Sequence, residues 1–219
     1  MAQIESLLAA RLFLAPQRVG DRVYFVSNLS GRLSLYVMDA NGSVPEPLLP
    51  PELALQNPEL VGGYLYYVLP KLGKILLMLG HDGGGRYIPH YIPIQGGYPE
   101  PIFGDRLDNY RVFCPLCDPD HNVAYFMAAS HSAPINDSYR GDLEARTLPH
   151  LHQSTYGAFP TGHDEANTKA ALVEGYTVGV WAPQHAPAAR VQCRSIFASA
   201  SRRERSANFE DYWAYSVGH

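Results

Sequence analysis

The chain has 219 residues, 46% hydrophobic and 17% charged, which is enough apolar material for a packed core and too much for a disordered chain. Its net charge of −4 argues against a nucleic-acid partner, because phosphates select basic surfaces. No run of about 18 apolar residues offers a membrane-spanning helix, and three Cys do not make a disulfide scaffold, so a cytoplasmic protein is expected.

Gly (19), Pro (18) and Tyr (15) are plentiful, a mixture that suits short strands joined by tight turns. Residues 1–16 carry an apolar run broken by Arg11, with Glu5 near its start, whereas a secretory signal has a basic start and a clean apolar stretch. A short helix that packs Ile4, Leu7 and Leu8, or an arm, is expected there. From Asp21 the pattern changes. Asp21-Arg-Val-Tyr-Phe-Val-Ser27 and Leu33-Ser-Leu-Tyr-Val-Met38 read as strands around a turn at Asn28-Leu-Ser-Gly31. Asp39-Ala-Asn-Gly42 is a hairpin turn, since Asn-Gly tolerates positive φ, and Pro45-Glu-Pro-Leu-Leu49 begins a return strand.

The grammar then repeats. Tyr64 to Leu69 and Lys74 to Leu79 are strands, His81-Asp-Gly-Gly-Gly85 is a turn, and Tyr87 to Ile94 is extended before the Gln95-Gly-Gly97 turn and Pro99-Glu-Pro-Ile-Phe103. Tyr36-Val37 matches Tyr91-Ile92, Gly42 matches Gly97, and Pro45-Glu-Pro47 matches Pro99-Glu-Pro101, an offset of 54 or 55 residues. A third unit runs through Tyr110–Phe113, a turn at Asp118-Pro-Asp-His121, a strand Asn122–Met127 and a strand within Tyr139–Thr147. A weaker fourth has strands at Ala170–Val173 and Tyr176–Val178. One antiparallel meander cannot cover both of its faces. Stacking meanders around an axis does, so the expected fold is all-β, a partial β-propeller of three to four blades over residues 17–183. Residues 184–219, with five Arg and many Ala and Ser, break the strand pattern and are expected to form a divergent tail.

Three runs carry a family resemblance. Val23-Tyr-Phe-Val-Ser-Asn28 with Ser30-Gly31, Leu35-Tyr-Val-Met-Asp39 and Asn41-Gly42 resembles propeller blades of prolyl-oligopeptidase-family serine peptidases, and TolB-like propellers share the pattern. Asp82-Gly-Gly-Gly-Arg86 with Tyr91-Ile-Pro-Ile94 and Gly96-Gly97 is similar to the second recurring turn of that family. Asp118-Pro-Asp-His-Asn-Val-Ala-Tyr-Phe126 resembles its Ser-Pro-Asp-Gly strand entry, with His121 where Gly is usual. The resemblance covers roughly residues 20–180. It implies the non-catalytic half of a serine peptidase, which limits the peptides that reach an α/β-hydrolase domain. A stand-alone TolB-like module that binds a protein partner is the alternative. The Gly-x-Ser-x-Gly of such a hydrolase is absent from these 219 residues, so no catalytic residue and no cofactor is assigned. The implied partners are peptide substrates, acting through the hydrolase domain, and a second copy meeting an open propeller face.

Among candidate sites, Cys114 and Cys117 have zinc-ligand spacing, His121 lies four residues on, and Cys193 is distant. One such pair lacks the second half of a structural zinc site, and buried or loop cysteines are the stronger reading. His150-Leu-His152 would place two imidazoles on one side of a strand, but a loop after Pro149 is the expectation. Gly83-Gly-Gly85 lacks the Lys and the Ser or Thr of a phosphate loop and reads as a turn. His163-Asp-Glu165 and Arg202-Arg203-Arg205 read as solvated surface.

Overall fold

The computed structural model describes residues 11–55, 65–81, 86–155, 157–174 and 190–195. These form fifteen strands in four antiparallel sheets, taken up in chain order. Sheet one holds β1 (Phe13–Val19), β2 (Arg22–Ser27), β3 (Ser34–Asp39) and β4 (Glu46–Pro47). Sheet two holds β5 (Tyr66–Leu69), β6 (Lys74–His81), β7 (Arg86–Pro93) and β8 (Glu100–Pro101). Sheet three holds β9 (Tyr110–Asp118), β10 (Val123–Ser130), β11 (Asn136–Asp142) and β12 (His150–Ser154). Sheet four holds β13 (Ala158–His163), β14 (Lys169–Glu174) and β15 (Arg190–Ser195). Each sheet is a meander in which neighbours in sequence are neighbours in space, the blade pattern expected. A single 3-10 turn at Pro70–Leu72 is the only helical element among the described residues.

The second strand of each inner blade shows why its sequence reads as an unbroken apolar run. In β6, Ile75, Leu77 and Leu79 face blade one, while Leu76 and Met78 face blade three. In β10, Ala124, Phe126 and Ala128 face blade two, and Val123 and Tyr125 face blade four. Alternation along a strand therefore supplies two cores at once. Tyr24, Val26, Leu35 and Val37 close the first core, between blades one and two. The second, between blades two and three, adds Phe103, Val112, Leu143 and Leu148. The third, between blades three and four, is small, with Val123, Tyr125 and Ala170 as its buried members.

Three expectations change. Residues 13–16 belong to β1 and pair with β2, with a register shift between Leu14 and Gln17, so the first blade begins before residue 17. Residues 1–10, where a helix or arm was expected, lie outside the described residues. Arg190–Ser195, assigned to the tail, pairs with β14 along its length and completes the fourth sheet. His150–Ser154 is a strand rather than a loop, because its backbone pairs with β11. Residues 176–178, 82–85 and 202–205 also lie outside the described residues.

The repeat phase is one residue from the sequence match. Tyr36 opposes Pro47 in blade one and His90 opposes Pro101 in blade two, a step of 54 residues. Gly42 donates to Asp39 O and Gly96 to Pro93 O with the same step. The counterpart of Tyr36 is thus His90, not Tyr91, and that of Gly42 is Gly96, not Gly97. A slip of one residue would turn every side chain to the opposite face. The Pro-Glu-Pro pair was aligned correctly.

Candidate functional site

Each of the four turns that join the first and second strand of a blade contains one residue in the left-handed region: Gly20 (φ 59°), Gly73 (φ 61°), Asn122 (φ 54°) and Asn167 (φ 54°). His121 stands where the family turn has Gly, but the left-handed position is the next residue, and Asn tolerates it. Asp118 organises the same turn, its Oδ1 accepting from the backbone N–H of Asp120 at 3.0 Å and of His121 at 3.2 Å. Asp164 does the same in blade four, accepting from the N–H groups of Thr168 and Lys169. The carboxylate of Asp164 therefore holds a turn.

A polar tie links each of these blade ends to the next. Gln17 bridges from β1 to β5, donating through Nε2 to Tyr66 O at 2.8 Å and accepting from Val68 N–H at 3.2 Å. Buried Tyr66 donates back to carbonyls of Ala15 and Tyr24. Lys71 Nζ reaches Asp120 O at 2.6 Å and the Asp120 carboxylate at 3.4 Å, joining blades two and three. Asp118 Oδ2 accepts from Asn167 Nδ2 at 2.7 Å, joining blades three and four, and Asn167 Oδ1 accepts from the Tyr125 hydroxyl at 3.0 Å. Burial works to raise the Asp118 carboxyl, but hydrogen bonds from Asn167 and His121 outweigh it and hold the group below the usual carboxylate range.

Between the first three blade ends lies a groove of about 530 Å³. Its apolar walls are Val19 and Val68 on the inner strands and Pro70 and Pro119 in the turns. Gln17 lines its floor, and Arg18, Lys71 and Asp120 supply its charges. Composition gave no sign of this groove, since its residues come from three separate blades. The signal that could have found it was the repeated position of the first turn.

The other candidates separate. A register shift on β9 at Cys114-Pro115 breaks strict alternation, and both thiols face the core between blades two and three. Burial pushes the Cys114 and Cys117 thiols well up, whereas a metal site needs thiolates. His121 points elsewhere, its Nδ1 2.7 Å from Asp118 Oδ2. Among the described residues no group of three or more His, Cys, Asp or Glu side chains is placed to hold a metal ion. His150 Nε2 lies 2.8 Å from buried Asp137 Oδ1, which also accepts from Gln153 Nε2, so this imidazole braces β12 against β11. His163 stacks on Tyr125 at the boundary of blades three and four.

No family model matches the chain, and no curated protein does. Solved structures match in fold. TolB from Acinetobacter baumannii superposes with a TM-score of 0.52 at 14% identity, over 84% of this chain and 41% of that one. Oligogalacturonate lyase in complex with manganese gives 0.55 at 11%, over 72% and 44%. A Mycobacterium tuberculosis puromycin-hydrolysing peptidase gives 0.50 at 16%, over 75% and 26%. The chain spans less than half the length of each. With its four consecutive meanders and cores between successive sheets, it has the fold of a partial β-propeller, the fold it shares with these structures.

Proposed function

We propose that this chain is the non-catalytic propeller portion of a prolyl-oligopeptidase-like serine peptidase, acting in the cytoplasm to limit which peptides reach a hydrolase domain. The observation that carries the reading is the convergence of three blade ends on one groove of about 530 Å³, a volume on the scale of a few peptide residues. The likeness to the puromycin-hydrolysing peptidase supports it at the level of fold. On this reading the chain meets peptide substrates through the hydrolase, and an open blade face meets further blades or a second copy. The wider overlap with TolB favours a second reading, a stand-alone module that binds a protein partner.

The transcript that encodes the chain separates the two. Read past codon 219 in frame, it is expected to specify a Gly-x-Ser-x-Gly elbow followed by Asp and His. An in-frame stop with no such elbow would transfer the conclusion to the binding module. The purified 219-residue chain is expected to take no label from a fluorophosphonate probe, and labelling lost on changing a single Ser would overturn the non-catalytic assignment. Among the described residues no helix is long and apolar enough to cross a membrane.

A further inference from the structure

The groove between the first three blade ends has a charge pattern that names a ligand class. Arg18 turns its Nε onto Gly20 O at 3.1 Å, and its two terminal amino groups have no partner among the described residues. A guanidinium presented this way matches a carboxylate, which accepts two parallel N–H bonds from it. Lys71 adds a second cation, and Asp120 is the single anion, already paired with Lys71. That pair is exposed on both sides, 60% and 86%, so solvent screens it and a ligand can exchange it at little cost. Val19, Val68, Pro70 and Pro119 form stiff walls that lose little side-chain freedom when they are covered.

From these groups we infer that the groove binds the free C-terminus of an extended peptide. Arg18 grips the terminal carboxylate, Lys71 shares it in place of the Asp120 carboxylate while keeping the Asp120 backbone carbonyl, and the apolar walls take the last side chains. Gln17 has both ends of its amide committed to Tyr66 and Val68, so it ties the two inner strands together rather than bonding the peptide. The inference rests on the proposal that the module handles peptides, and it adds which end of the peptide is read and by which residue.

Fluorescence polarisation tests it on the full chain, with one fluorescein-labelled hexapeptide ending in Ala-Pro-Leu prepared as the free acid and as the amide. The free acid is expected to bind about tenfold more tightly than the amide. Arg18→Gln is expected to abolish the difference, and Arg18→Lys to retain only a small part of it. Asp120→Asn removes the competing anion while Lys71 keeps its bond to the backbone carbonyl of residue 120, so it is expected to tighten the free acid by about twofold. Arg18 and Asp120 are exposed, and an unchanged circular dichroism spectrum confirms that the variants remain folded. Equal binding of acid and amide, or discrimination that survives Arg18→Gln, would overturn the inference and leave the peptide-handling proposal standing. Binding of neither peptide would overturn both.

Discussion

Two glycines at the same repeat position have the same backbone and different surroundings. Gly42 (φ 95°) and Gly96 (φ 91°) each close the turn before a Pro-Glu-Pro edge. A Cβ built on Gly42 meets nothing within 4 Å. On Gly96 it would lie 2.8 Å from Leu48 O and 3.0 Å from Leu48 Cα, both backbone atoms of the preceding blade. Either change to Ala forces an L residue into the left-handed half of the map, at about 1–2 kcal/mol. Gly96→Ala must also push the turn off blade one. That breaks the 3.0 Å bond from Gly97 N–H to Leu48 O and disturbs buried Leu48, adding about 2 kcal/mol. We expect Gly96→Ala to cost about 3–4 kcal/mol and Gly42→Ala about 1–2 kcal/mol. In a domain of this size the difference between the two corresponds to about 4–8 °C in melting temperature. Thermal and urea unfolding followed by circular dichroism at a β-sheet wavelength measures both variants. Equal destabilisation, within about 0.5 kcal/mol, would show that blade two does not rest on Leu48, and the packing assigned to the first core would be wrong.

Other expectations follow from the ties between blades. Tyr66→Phe removes a buried hydroxyl that serves two carbonyls, so urea denaturation should show a loss of about 1–3 kcal/mol, whereas Tyr98→Phe, on an exposed ring, should be silent. The Asp118 carboxyl is held below its unfolded value near 4, so its contribution is complete above that pH and is lost as pH falls through the lower folded value. Acid titration of Asp118→Ala against the parent chain should therefore show a stability gap near neutrality that narrows as the pH falls below the unfolded value, and a gap of constant size would contradict the Asn167 and His121 contacts. Cys114 and Cys117 should resist iodoacetamide at pH 8 in the folded chain and react in urea, since burial raises both thiols. Rapid labelling of Cys114 without denaturant would contradict its place in the core between blades two and three.

The blades themselves were legible in the sequence, because strand and turn chemistry are local. Asn41-Gly42 and the apolar runs around Leu35 and Leu76 place the hairpins without any knowledge of their neighbours. The repeat phase was harder to read, since matching Tyr36 with Tyr91 follows residue identity while the ladder follows hydrogen-bond parity, which puts His90 opposite Pro101. Arg190–Ser195 was missed for a related reason. Its composition is that of a surface segment, and only the neighbouring strand β14 makes it a strand. The groove was the least legible feature. Arg18, Lys71 and Asp120 are separated by about fifty residues at each step, and nothing in any one segment marks them as neighbours. The Asp118 turn lies between these cases, because its carboxylate cap is local while its bond to Asn167 depends on how blade four is seated.

The repeated Pro-Glu-Pro has a consequence for how copies of this protein can meet. Leu48 N–H donates to Leu35 O, and Ile102 N–H to Pro89 O, which fixes the parity of the two outermost strands. Glu46 and Glu100 therefore turn their backbone inward to the ladder. Pro45, Pro47, Pro99 and Pro101 turn theirs outward, where an ordinary residue would offer an N–H to an arriving strand. Proline has none; on blade one the Glu46 carboxylate would also repel a like edge, whereas Glu100 is held by Lys74 and Arg146. The rims of these two blades are thus chemically capped against templated growth, the step by which an open sheet recruits one chain after another into a fibril. Crowding or partial unfolding should find its first opportunity elsewhere, on blade surfaces rather than along these rims.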